Sequence, residues 1–116
     1  NKEKPLEGGI FIKVRITSNK FLDIKSLSGG EKTLTALAFI FSIQEYEPCS
    51  FYIFDEVDAA LDIRNSEKLA KLVKKYSEKA QYVIISHNDA MIAEATQIYG
   101  ISMIENGMSK VVSLRV

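Results

Sequence analysis

The sequence holds a single cysteine, Cys49, among its 116 residues, so no internal disulfide can brace the fold. A lone thiol agrees with a reducing compartment. Net charge is absent as well: Lys+Arg and Asp+Glu each number 15 and cancel. That balance gives no global pull toward nucleic acid or an anionic membrane, and any DNA contact has to be local. The longest uncharged run, Thr33 to Gln44, falls short of the roughly 20 residues a membrane-spanning helix needs. The charged N-terminus does not read as a secretory signal, and no repeat or low-complexity segment interrupts the chain. A soluble protein of the cytoplasm is expected. Apolar residues, in contrast, make up 47% of the sequence, ample for the packed core of one small domain.

Asn1 to Glu7 is polar and contains Pro5, and Gly8-Gly9 marks a turn, so residues 1–9 read as a lead-in. From Ile10 to Thr17 apolar and polar residues alternate, the period of a strand, with Asn19-Lys20 closing a hairpin. Between Glu31 and about Glu45, Leu34, Leu37, Ala38, Phe41 and Ile43 recur at helical spacing with no charge after Lys32. Such a helix is expected to be buried on most sides, and Pro48 ends it. Phe51 to Phe54 and Tyr82 to Ile85 are short continuous apolar runs, the mark of strands covered on both faces. A helix from about Ile63 to Tyr76 lies between them, and a short one from Asp89 to Ala95 follows. Ile98 to Ile104 and Lys110 to Val116 flank Asn106-Gly107, a strong hairpin signal. The series predicts an α/β fold with a largely parallel sheet, flanking helices and a C-terminal β-hairpin. Ligands of such sheets bind at the carboxyl ends of the strands, where Asp55, Glu56 and His87 fall.

Leu27-Ser28-Gly29-Gly30-Glu31 opens the first long helix with two glycines, leaving backbone N–H groups uncovered at the positive end of the dipole. An anion such as phosphate fits there. Ser28 and Glu31 equally spell an S-x-x-E capping box, which any helix can use, and the local sequence supports both readings. Phe51 to Glu56 is an apolar strand delivering two adjacent carboxylates, the pattern of a Walker B motif. Asp55 is placed to bind Mg²⁺ through water, and Glu56 to polarise an attacking water. A lone strand-Asp-Glu is otherwise a pair of acids capping a helix. Asp62 suits the cap of the next helix, behind the small loop Ala59-Ala60-Leu61. His87, the only histidine, suits a hydrogen bond to a γ-phosphate, although a lone histidine is more often a packed polar residue. The four elements in this order are more specific than any one of them.

One further absence qualifies these motifs. No stretch reads G-x-x-x-x-G-K-[S/T], so the chain has no P-loop to wrap a β-phosphate. A hydrolase built on Ser86 or Ser28 with His87 and an aspartate is the competing enzyme class. It lacks a G-x-S-x-G elbow, and Ser86 next to His87 on one strand points away from it. Lys68, Lys71 and Lys75 share one helical face, which a solvated surface explains more simply than a DNA site.

Ser28-Gly29-Gly30-Glu31-Lys32-Thr33-Leu34-Thr35-Ala36-Leu37-Ala38, then Phe54-Asp55-Glu56-Val57-Asp58-Ala59-Ala60-Leu61-Asp62, closely resembles the C-terminal half of an SMC (structural maintenance of chromosomes) ATPase head. The likeness runs on through Ile85-Ser86-His87-Asn88 to Val111-Val112-Ser113-Leu114 and covers nearly all of Gly8 to Val116. ABC transporter domains share the plan but usually carry Gln where Glu31 stands and Pro-Thr where Val57-Asp58 stand. Coiled-coil DNA-repair ATPases also tend to Pro-Thr, and a head lobe of that kind is the second reading. A third is a kleisin-binding module without activity of its own.

The resemblance implies that residues 1–116 are the C-terminal lobe of a split head, whose P-loop sits in an N-terminal lobe beyond a coiled coil and hinge. It implies ATP hydrolysis by a composite site, with Asp55 serving Mg²⁺, Glu56 as general base and His87 as the switch residue. Ser28, Gly29, Gly30 and Glu31, with Asp62 of the D-loop, would contact ATP held by a second SMC head. The implied partners are the P-loop lobe, that second head, a kleisin subunit and DNA through the whole complex, with no membrane. The implied setting is a nucleoid-associated cytoplasmic complex for chromosome condensation and segregation.

Overall fold

The computed structural model describes residue 4, residues 7–15 and residues 20–115. Nine elements position the site: β1 (Lys13–Val14), β2 (Leu22–Asp23), α1 (Gly29–Tyr46), β3 (Phe51–Asp55), α2 (Ile63–Tyr76), β4 (Gln81–Ile85), α3 (Asp89–Ala93), β5 (Gln97–Met103) and β6 (Ser109–Arg115).

α1 starts where the sequence supplies a cap. Ser28 Oγ accepts the Glu31 N–H and the Glu31 carboxylate accepts the Ser28 N–H, so the capping box is formed at both ends. The helix stops at Tyr46, because Glu47 leaves the helical region and Pro48 cannot continue it. α2 begins behind Asp62, whose carboxylate accepts the Asn65 N–H, and ends with Lys74 and Lys75 at the negative end of its dipole.

β3 and β4 pair in parallel, from Phe51 opposite Gln81 to Asp55 opposite Ile85, with α2 as the crossover. Leu37 and Phe41 of α1, Phe54 of β3, Leu69, Ala70 and Val73 of α2 and Met91 of α3 form the buried cluster. Phe41 meets Phe54 edge-on and stacks on Tyr76, while Tyr52 stacks on Tyr82 across the strand pair. Lys68, Lys71 and Lys75 lie on the opposite, exposed side of α2.

Four expectations change. Among the described residues the parallel part is a single strand pair, and β5 pairs antiparallel with β6 in a sheet of its own. The strand expected from Ile10 to Thr17 is reduced to Lys13–Val14 among the described residues, paired antiparallel with β2. Alternation suits Ile10 and Phe11 to a strand, but no described strand pairs with them and both are exposed. Residues 16–19, including Asn19 of the expected turn, lie outside the description. α1 buries only Leu37, Phe41 and Gln44, with Phe39 and Ile43 close to half exposed. Likewise β3 and β4 are covered on one face only, for Phe51, Ile53, Val83 and Ile85 face outward. Apolar runs report the need for cover, and on these faces the described chain does not supply it.

The terminal hairpin follows the sequence. β5 and β6 run in register from Gln97 opposite Arg115 to Met103 opposite Ser109. Asn106 and Gly107 both take positive φ, 74° each, as the tight turn between right-twisted strands demands.

Candidate functional site

Three of the candidate residues fall at the carboxyl ends of β3 and β4. Glu56 follows β3 directly, and its N–H donates to the Ile85 carbonyl at 2.9 Å, one step beyond the ladder. Its φ is 47°, a left-handed value rare for a side chain with a Cβ and costing about 1–3 kcal/mol. The kink lifts the carboxylate away from the strand. Glu56 Oε1 then lies 3.4 Å from His87 Nε2, slightly beyond an ordinary N–H···O bond. Both side chains are open to solvent, His87 at 90% and Glu56 at 53%. Asp55 ends β3 beside them and is exposed.

Next to the exposed pair in sequence is a part-buried one. Asp58 is 4% exposed, and its Oδ2 accepts the Ser86 hydroxyl at 2.6 Å. Ser86 Oγ in turn accepts the Asn88 N–H at 2.9 Å, and Asn88 Oδ1 accepts the Ala90 N–H as the cap of α3. Together Glu56, Asp58, Ala59, Leu61, His87 and Asn88 line a pocket of about 240 Å³.

The glycine-rich start of α1 reaches this region through one contact. A Cβ on Gly30 would stand 3.0 Å from the Ala60 carbonyl oxygen, so the helix start and the small loop pack backbone to backbone. The capping box occupies Ser28 and Glu31, while the Gly29 and Gly30 N–H groups make no hydrogen bond among the described residues. Asp62 is occupied in capping α2, with its second oxygen accepting from the Asn65 amide at 2.8 Å.

The model of the family described as RecF/RecN/SMC N terminal domain matches residues 13–110. The chain belongs to the RecF/RecN/SMC family. It is 48% identical over 115 residues to the chromosome partition protein Smc of Methanocaldococcus jannaschii, covering 99% of this chain and 10% of that protein. The Smc of Bacillus subtilis is 41% identical over 110 residues, 95% of this chain and 9% of its own length. Thus the chain spans about a tenth of the curated relatives it matches. A crystal structure of an Smc head bound to the C-winged helix domain of ScpA superposes with a TM-score of 0.92 at 46% identity, over 100% of this chain and 35% of that one. An SMC ATPase structure concerned with ATP-driven dimerisation and DNA-stimulated activation gives 0.85 at 46%, over 97% of this chain and 69% of that one. The α/β fold is therefore that of part of an SMC head, and the chain is an SMC head fragment similar to a tenth of the chromosome partition protein Smc.

Within this SMC fragment, Glu56 and His87 approach each other at the strand ends, while Asp55 closes β3 and does not line the pocket. Ser86 donates to Asp58 and not to His87, and Ser28 is engaged with Glu31, so no Ser-His pair forms for the competing hydrolase. The Asp58–Ser86 bond has a faint signal in the sequence, a hydroxyl directly before the strand-end histidine and an aspartate two places past Glu56. Among the described residues, no three His, Cys, Asp or Glu side chains cluster as a metal cage. No helix of the described residues is long and apolar enough to cross a membrane.

Proposed function

We propose that residues 1–116 are the C-terminal lobe of an SMC head that hydrolyses ATP once a P-loop lobe and a second head complete the site. The reading rests on the approach of Glu56 to His87 beside Asp55 at the ends of parallel strands. Glu56 accepts a hydrogen bond from the attacking water and so aims its oxygen in line with the γ-phosphorus. His87 presents Nε2 toward the γ-phosphate and the same water. Mg²⁺, when bound, neutralises phosphate charge, and Asp55 would hold it through water. Phosphoryl transfer is largely positioning and charge neutralisation, so each group gains from a closed, dry interface.

Ser28, Gly29, Gly30 and Glu31 serve a different nucleotide, the one held by the opposite head, and Asp62 lies on the loop at that interface. The free Gly29 and Gly30 N–H groups at the start of α1 support that anion-facing role. The further partners in this reading are a kleisin, as for the ScpA-bound Smc head, and DNA, as for the DNA-stimulated SMC ATPases. The complex would work on the nucleoid in the cytoplasm.

Glu56→Gln in the full-length protein tests the reading. It keeps the shape and removes the proton acceptor, so turnover should fall about 100-fold or more while ATP binding persists and heads remain engaged. Turnover within twofold of the unaltered protein would show that Glu56 is not the base.

A further inference from the structure

We infer that the part-buried Asp58–Ser86 hydrogen bond is the positioning device of the site, holding Glu56 and His87 in register; this rests on the catalytic reading above. Each exposed side chain has little else to fix it. His87 is 90% exposed and meets only Glu56 among the described polar contacts, at 3.4 Å. Solvent competes for both partners of such a pair, so its geometry must come from the backbone beneath.

That backbone is braced from both sides. Ser86 Oγ accepts the Asn88 N–H, closing a bracket across His87. The same oxygen donates its proton to Asp58 Oδ2 at 2.6 Å, a short charge-assisted bond in a place where Asp58 is 4% exposed. Asp58 belongs to the turn that begins at Glu56, closed by Ala59 N–H to Glu56 O at 3.1 Å and Leu61 N–H to Asp58 O at 2.9 Å. One hydroxyl therefore ties the turn that carries the base to the turn that carries the histidine, across 28 positions of sequence. The next residue but one, Ala60, presses its carbonyl on Gly30. A displacement of the brace thus reaches the start of α1 as well.

Neither Asp58 nor Ser86 touches the reacting atoms in this arrangement; both act through their neighbours. A misplacement on the order of 1 Å at a reacting group can cost about 100-fold in rate. In the full-length protein, Ser86→Ala and Asp58→Ala should each lower kcat between about tenfold and a hundredfold and leave KM for ATP within about twofold. Ser86→Thr keeps the hydroxyl and should restore kcat. The double variant should be no slower than the worse single one, because both substitutions break the Asp58–Ser86 bond. Thermal melting of every variant separates loss of fold from loss of register; if Ser86→Ala fails to fold, Ser86→Thr and Asp58→Ala carry the comparison. Unchanged kcat in a folded Asp58→Ala or Ser86→Ala protein, multiplicative losses in the double variant, or failure of threonine to rescue would overturn the inference. Glu56→Gln is run alongside. If it alone abolishes turnover and the brace variants do not, the brace is refuted and the base stands; if it leaves turnover intact, the catalytic reading itself has failed.

Discussion

At the scale of single residues, polar contacts between elements border the apolar core. Gln44 of α1 is buried, and its side-chain oxygen accepts the Tyr82 hydroxyl of β4. Tyr76 makes a similar bond to Glu45 at the surface. The two tyrosines should respond differently to loss of the hydroxyl. Tyr82→Phe leaves a buried amide oxygen without its donor and should cost about 1–3 kcal/mol in the melting of the purified head, whereas water can replace the partner of Glu45 after Tyr76→Phe. Desolvation by burial raises the Tyr82 hydroxyl above its ordinary value. A raised value in the fold means the neutral phenol is favoured, so its contribution is fully present below about pH 10 and fades as pH climbs through the shifted value. The stability gap between the natural protein and Tyr82→Phe should accordingly narrow above pH 10. A gap that widens there, or a Tyr76→Phe cost equal to that of Tyr82→Phe, would contradict the assignment.

At the scale of elements, the start of α1 has two claims on one serine. The capping box is formed, yet a signature loop needs the same residue for a nucleotide of the opposite head. Ser28→Asp separates the claims, because aspartate caps a helix as well as serine and suits its dipole, but sets a carboxylate against phosphate. The melting temperature should change by no more than about 4 °C, while ATP-dependent head association, followed by light scattering, should be lost. Association at the natural level would leave Ser28 as a cap alone. The elements also show how far local signals reach. α2 was readable from Asp62 to Tyr76, because cap, periodicity and basic C-terminus agree. β3 and β4 were readable as strands from runs of aromatic and β-branched residues. Their two-sided cover was not, since burial depends on chain far away in sequence. For the same reason Asp55, Glu56 and His87 could be placed at strand ends, while the positive φ of Glu56 and the Asp58–Ser86 bond depend on two turns meeting in space.

For the whole molecule, surface is the decisive quantity. A compact monomer of this mass exposes about 6,300 Å² and has a radius of gyration near 13 Å, on the scaling of folded domains. This chain exposes 9662 Å² with a radius of gyration of 17.8 Å, and stretches to 58 Å on its long axis. The surplus of about 3,300 Å² on this one chain is more than the roughly 1,000–2,500 Å² that each partner loses in an obligate interface. Much of it is apolar: the outer faces of β3 and β4, one side of α1, and nearly the whole β5–β6 hairpin with Ile101, Met103, Val111 and Leu114. Faces of that extent do not stay in water as monomers. Expressed by itself, the chain should bind a hydrophobic dye strongly and self-associate at micromolar concentration; addition of the P-loop lobe should abolish both and yield a single species in sedimentation. A dye-silent monomer would mean that these faces need no cover, and would undercut the split-head reading at its root.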